Sequence, residues 1–231
     1  MFREDQIPKW LRELESFVGI KSAFIIEGNI NDIYPRFVRK NGEININGFV
    51  SLNHILYSSF VSNNPDVSYD MLYCDPINGF YNPVVATNLG PLILEFSQGK
   101  SYCSSNVTDT RQQCYKAKDF VSMSELIKNA ITSNRLQTEN KKPVAIVMNF
   151  ASRYLSTPNQ LSEEEISMFL NLLYGSLNAA RINRLRNVLI LVVDKINDLP
   201  TWFYFNNPNV KTISIPHPDK HVRQIFIHDE Y

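Results

Sequence analysis

The chain carries no net charge: 23 lysines and arginines stand against 23 aspartates and glutamates, and the pI lies near 6.9. A balanced surface produces no field that would gather a polyanion, which argues against a general nucleic-acid-binding role. The one local concentration of base, RINRLR at 181–186, reads as the solvated end of a helix. Cysteine is scarce. Cys74, Cys103 and Cys114 match no metal-ligand spacing, and an odd number does not make a disulfide framework. No apolar stretch approaches the roughly 20 residues of a membrane helix. The N-terminal MFREDQIPKWLRELE places charges where a signal peptide needs an apolar run. These absences predict a cytoplasmic chain without a membrane partner, in which the acceptor pattern Asn106-Val107-Thr108 has no meaning. There is no internal repeat, no low-complexity tract, and no Ser/His/Asp or Cys/His spacing that would argue nucleophilic catalysis.

What is present is alternation. Trp10, Leu11, Leu14, Phe17 and Val18 recur at helical spacing, so residues 7–18 read as an amphipathic helix. AFIIE (23–27) reads as a buried strand stopped by Gly28-Asn29. Val50, Leu52, Ile55, Leu56, Phe60 and Val61 mark a second helix, and Tyr69–Cys74 a strand. Asp75-Pro76-Ile77-Asn78-Gly79 is a turn by composition, with 80–86 as a returning hairpin arm. Residues 88–118 show no period and are expected to form an insertion or long loop.

Met123, Leu126, Ile127, Ala130 and Ile131 give the next helix. VAIVM (144–148) and VLILVV (188–193) are uninterrupted apolar runs, the pattern of strands covered on both faces of a parallel sheet. Between them Ser162-Glu163-Glu164-Glu165 is a capping box. It opens a long helix with Ile166, Phe169, Leu170, Leu173 and Leu177 on one face. Lys211–Ile215 is a last short strand, followed by a helix from about Pro218. The order predicts an α/β fold, a parallel sheet of about five strands flanked by helices, within one domain spanning 1–231.

The segment VLILVVDKINDLPTWFYFNNPNVKTISIPHPDKHVRQIFI (188–227) resembles the second half of an AAA+ ATPase core: a sensor strand, a connector, a final strand, then Pro218-Asp219-x-x-x-Arg223. VAIVMNF (144–150) sits where the Walker B strand would be, and AFIIEGNINDIYP (23–35) where the first strand and phosphate loop would be. The arrangement is similar to the degenerate N-terminal module that precedes a working AAA+ module in certain bacterial ATPases.

The departures from that family define the functional expectation. A phosphate loop needs G-x-x-x-x-G-K-[ST], whose amides cradle phosphate while Lys reaches the β/γ oxygens. Here the first strand is followed by Gly28-Asn29-Ile30-Asn31-Asp32. Asn149-Phe150 replaces the carboxylates that would hold Mg²⁺ and position water. Lys195 stands nearest the sensor position, and Asn206-Asn207-Pro208-Asn209 replaces the arginines that would reach a neighbour's nucleotide.

The expectation is therefore a non-catalytic module. Gly28, Asn29, Asn149, Phe150 and Lys195 are vestigial positions, with no catalytic residue, cofactor or metal in this domain. The resemblance implies that the full-length protein binds ATP and Mg²⁺, and that further sequence supplies a lid, an intact ATPase module and self-assembly. This chain alone would then be a monomer or weak oligomer without ATPase activity. One alternative is an unorthodox phosphate loop around Lys100-Ser101, in LILEFSQGKS, or around Lys195. Another is a free-standing protein-interaction domain. His217, His221 and His228 read as surface histidines rather than metal ligands. Asp194-Lys195 reads as a structural ion pair, and the run Trp202–Phe205 as packing of the connector onto the core.

Overall fold

A computed structural model describes residues 7–40, 43–62, 64–109, 112–136 and 142–230. From the N-terminus, α1 (Lys9–Phe17) leads to β1 (Ala23–Gly28), the hairpin β2 (Ile33–Lys40) and β3 (Glu43–Ser51), and α2 (Leu52–Phe60). Then come β4 (Asp70–Asp75), β5 (Gly79–Tyr81), α3 (Gly90–Ser97), β6 (Cys103–Asp109), β7 (Gln112–Ala117) and α4 (Phe120–Thr132). They are followed by β8 (Val144–Met148), α5 (Glu163–Leu177), the two-residue strands β9 (Arg181–Ile182) and β10 (Leu185–Arg186), and β11 (Val188–Val192). The last elements are α6 (Thr201–Tyr204), β12 (Val210–Ile215) and α7 (Lys220–Glu230).

Eight strands form one sheet in the order β12-β1-β11-β8-β4-β5-β7-β6. The first five are mutually parallel, and β5, β7 and β6 extend them antiparallel. The apolar runs at β8 and β11 occupy the interior of the parallel part, where both faces are covered and every residue of each strand is buried. Because side chains alternate across a strand, Phe24, Ile26, Ala145, Val147 and Ile190 meet α1 and α2 on one face. Ile25, Ile146, Met148, Leu189 and Leu191 meet α3, α4, α5 and α6 on the other. Each such Ile or Leu gains about 1.5–3 kcal/mol by leaving water, which is why these strands tolerate no polar alternation.

Four local expectations are corrected. Residues 88–118 are not a long loop: they hold α3 and the β6–β7 pair that widens the sheet. Val50 belongs to β3 rather than to the helix, and the hairpin arm after the Asp75–Gly79 turn is only the three residues of β5. RINRLR is a β-hairpin, not a helix end. Asn183 and Arg184 have φ of 50° and 72°, the left-handed pair that a tight hairpin turn needs.

Helix α5 buries Met168, Phe169 and Leu172, while Ile166, Leu170 and Leu177 of its apolar stripe stay exposed. Gly175 and Ser176 are buried on the same side, where α5 packs on α4: a Cβ on Gly175 would meet Lys128 Cα at an ordinary contact distance of 3.6 Å. The expected capping box is present: Ser162 Oγ accepts from Glu165 N at 3.2 Å and Glu165 accepts from Ser162 N at 2.7 Å.

Candidate functional site at the carboxyl edge of the sheet

Chain direction defines where a ligand would sit. After β1 the chain crosses to the face that carries α2, whereas after β11 it crosses to the face that carries α6. Neighbouring parallel strands whose connections leave to opposite faces open a crevice at their carboxyl ends, the position of ligand sites in open α/β sheets. Gly28, Asn29, Asn149, Phe150 and Lys195 lie at or just after the ends of β1, β8 and β11 at that edge. Backbone bonds stitch the strand ends together: Gly28 N donates to Asp194 O at 3.2 Å, Asn29 N to Ile215 O at 2.9 Å, and Asn149 N to Cys74 O at 2.8 Å. Lys100 and Ser101 lie elsewhere, exposed at the entry to β6 and separated from β8 by three strands. They are followed by a strand rather than by a helix N-terminus.

The crevice holds a cavity of about 400 Å³ lined by the β1–β2 loop (Ile30 to Asp32), the start of α2, Asp75, Asn78, Tyr81, Asn149, Phe150 and Val192. Its chemistry opposes a triphosphate. Asp32 and Asp75 contribute two carboxylates, and among the described residues no lysine or arginine lines the cavity. Asp75, almost fully buried, is an internal brace: its carboxylate accepts from Ile77 N, Asn78 N and Asn78 Nδ2 at 2.7–2.9 Å. Asp32 accepts from Asn29 Nδ2 and Ile33 N, both at 2.8 Å. The loop after β1 therefore spends its polar groups on itself and enters β2, so that a whole hairpin separates it from α2.

Gly28, Asn149 and the backbone of Lys195 have structural tasks at this edge. Gly28 has φ +95°, and a Cβ there would lie 2.5 Å from Ile215 O. Its glycine is required by the close passage of β12. Asn149 Nδ2 donates to Tyr81 Oη at 3.2 Å. Burial, the largest influence, pushes the Tyr81 phenol above its ordinary range despite the opposing bond from Asn149, so it stays neutral. Phe150 stands exposed on the cavity with φ 53°, a left-handed conformation uncommon for a bulky residue. Lys195 is exposed and makes no ion pair with its neighbour Asp194, which instead pairs with Arg153 at 2.8 Å. That corrects the expected Asp194-Lys195 pair. Lys195 N caps a short turn through Asp198 at 3.1 Å.

The asparagines in the arginine position also have a local use. Asn207 Nδ2 donates to Ser176 Oγ and Asn209 Nδ2 to Ser176 O, both at 3.2 Å, tying the approach to β12 onto the end of α5. In the aromatic run, Phe203 is core and stacks edge-on to Phe169 at 5.7 Å, while Trp202 and Phe205 remain largely exposed. No group of three or more His, Cys, Asp or Glu able to hold a metal occurs among the described residues; the side chains of His221 and His228 lie outside them. No helix among the described residues is long and apolar enough to cross a membrane.

Sequence reasoning missed Tyr81, Asp75 as a brace, and the β2–β3 hairpin. The hairpin had a signal in EININGFVS, whose Ile44, Ile46 and Val50 alternate with polar residues as a strand requires. Asp75 had one too, since Asp at the start of a turn caps its own backbone.

A Rossmann-like α/β sheet with a crevice at its switch point is the class that these elements define. The chain belongs to the family of AAA+ chaperone N-terminal Rossmann-like domains, whose model matches residues 3–216. No curated protein matches it. Among solved structures, a chain of the E. coli MS115-1 HORMA:CdnC:Trip13 complex is similar with a TM-score of 0.47 and 9% identity. The similarity covers 98% of this chain but only 58% of that one.

Proposed function

We propose that this domain is a non-catalytic module of a longer AAA+ chaperone-like protein, engaging protein partners while ATP and Mg²⁺ are handled by other parts of that protein. The observation that carries the reading is the lining of the switch-point cavity: two carboxylates, no cation among the described residues, and a first loop that runs into a strand. A nucleotide site works by the converse arrangement, with backbone amides at a helix N-terminus and a lysine facing the phosphates. The residues present do not fit ATP·Mg²⁺, so no step of ATP chemistry is assigned to them. In a degenerate module the sheet remains as a scaffold, and its value to the whole protein lies in surfaces.

The test is isothermal titration of the domain with ATP and Mg²⁺. The expected outcome is no saturable heat. Binding with a Kd of tens of micromolar, about −6 kcal/mol, would overturn the proposal in favour of an unorthodox nucleotide loop. Titrating Lys100→Ala and Lys195→Ala would then say which lysine made it.

A further inference from the structure

We propose that the open edge of the sheet, strand β12, is a docking site for an extended peptide segment of a partner protein, which adds to the sheet as a further strand. This deepens the partner-engaging reading above, and it rests on the edge alone rather than on the fate of the nucleotide site.

The sheet ends at β12, whose single ladder is the parallel one with β1. Asn209 O accepts from Ala23 N, and Ile215 O from Asn29 N. Because a strand residue turns its amide and carbonyl to one side and the next residue to the other, positions 209, 211, 213 and 215 face β1. Thr212 and Ser214 face outward, and among the described residues nothing bonds their main-chain groups. A row of unpaired amides and carbonyls two residues apart has one natural complement, another extended backbone. Two of the usual defences are absent, since β12 contains no proline and no bulge, and its one lysine, Lys211, is paired with Glu13. Proline comes only at 216, where its missing N–H ends the ladder.

The edge also opens into a groove rather than onto a bare flank. Thr212 and Ser214 share a cavity of about 630 Å³ with Trp10 and Leu11 of α1 and Tyr34 and Pro35 of β2. The Trp10 and Tyr34 rings brace each other edge-on at 5.4 Å, and the Tyr34 hydroxyl is tied to Asn29 O. Trp10, Leu11, Tyr34 and Pro35 make this part of the wall apolar. An incoming strand would place alternate side chains against it.

Charge selects further. The lining carries Glu13, Asp32 and Asp219 against Lys9. Glu13 is already paired with Lys211, which leaves two carboxylates for one ammonium. A segment with apolar residues at every second position and a lysine or arginine between them complements both features.

The experiment pans a phage-displayed random decapeptide library on the whole chain. Synthetic copies of the enriched sequence are then made, N-methylated at alternate amides. The expected result is enrichment of peptides that alternate apolar and polar residues and carry Lys or Arg. N-methylation at one parity should weaken binding at least tenfold, and at the other leave it within about twofold, since each strand residue bonds to one side only. Amide resonances of Thr212 and Ser214 should shift and become protected from exchange.

Ser214→Pro should weaken binding by a similar factor. The methylated peptides decide the matter even if that variant is misfolded, because they leave the protein untouched. No enriched peptide, equal sensitivity to both parities, or shifts confined to Asn149 and Phe150 would overturn the proposal. So would self-association of the chain through this edge that no peptide displaces. ATP binding with an intact peptide response would sink the non-catalytic reading and leave this one standing.

Discussion

At the scale of single residues, the most consequential side chains are polar ones buried far from the crevice. Asn187 is completely buried just before β11. Its Oδ1 accepts from Val144 N at 2.9 Å, while Nδ2 donates to Ala130 O, Ile131 O and Ser133 O at 2.9–3.2 Å. One amide thus closes the carboxyl end of α4, whose last carbonyls have no helical partner, and fixes the start of β8. Asn187→Leu should lower stability by about 2–4 kcal/mol, because each buried group left unbonded costs about 1–3 kcal/mol. Urea denaturation followed by circular dichroism would measure it, and a loss under about 0.5 kcal/mol, ordinary for a neutral surface change, would contradict the assignment.

Arg135 plays a comparable part. Its side chain is only 4% exposed and forks onto Glu95 while also reaching Asp70 at 2.5 Å and Lys142 O at 2.7 Å. Arg135→Ala would strand two carboxylates against each other and should cost about 3–5 kcal/mol, read from the same unfolding curves. Neither role was visible in the sequence. An asparagine or arginine in a loop looks alike whether it faces water or partners 40 to 65 positions away, and only the fold supplies those partners.

At the scale of elements, legibility followed how local the cause is. The box Ser162–Glu165 was readable because all its atoms lie within one turn, and it makes a pH-dependent prediction. Bonds from the amides of Ser162 and Ser156 hold the Glu165 carboxyl down to about 2. An unfolded glutamate titrates near about 4.3. With the folded pKa the lower of the two, the stabilising contribution is fully present above the unfolded value and disappears as pH falls through about 2. Glu165→Ala should therefore destabilise the domain at neutral pH, by about 0.5–2 kcal/mol as for other cap deletions. The gap between variant and parent should narrow from about pH 4.5 downward; a gap independent of pH would refute the role of the charge.

The strands β8 and β11 were readable for a related reason, since burial on both faces leaves no room for polar alternation. Which part of the apolar surface of α5 is buried is not legible in this way, because its packing on α4 is a contact between segments far apart in sequence. The β2–β3 hairpin has a local signal in the alternation of EININGFVS.

At the scale of the whole molecule, fold and site part company. The parallel order β12-β1-β11-β8-β4 keeps a crevice at the switch point, lined in part by Asn149 and Phe150. Two of the positions at this edge are explained by packing or bracing, Gly28 by Ile215 and Asn149 by Tyr81. Such a site should give no linkage between nucleotide and folding. A ligand at about 100 times its Kd adds about 2.7 kcal/mol to the folded state. For a domain of this size that would raise the melting temperature by about 5–10 °C. Millimolar ATP with Mg²⁺ should accordingly leave the melting temperature within about 1 °C of the nucleotide-free value, since a group without differential affinity for the folded state shifts nothing. An edge-binding peptide at similar excess over its Kd should raise it by the full amount. Thermal unfolding monitored with each in turn separates the two regions of the molecule. A nucleotide-dependent rise that survives Asn149→Asp but vanishes in Lys195→Ala would show that phosphate is held at the crevice after all.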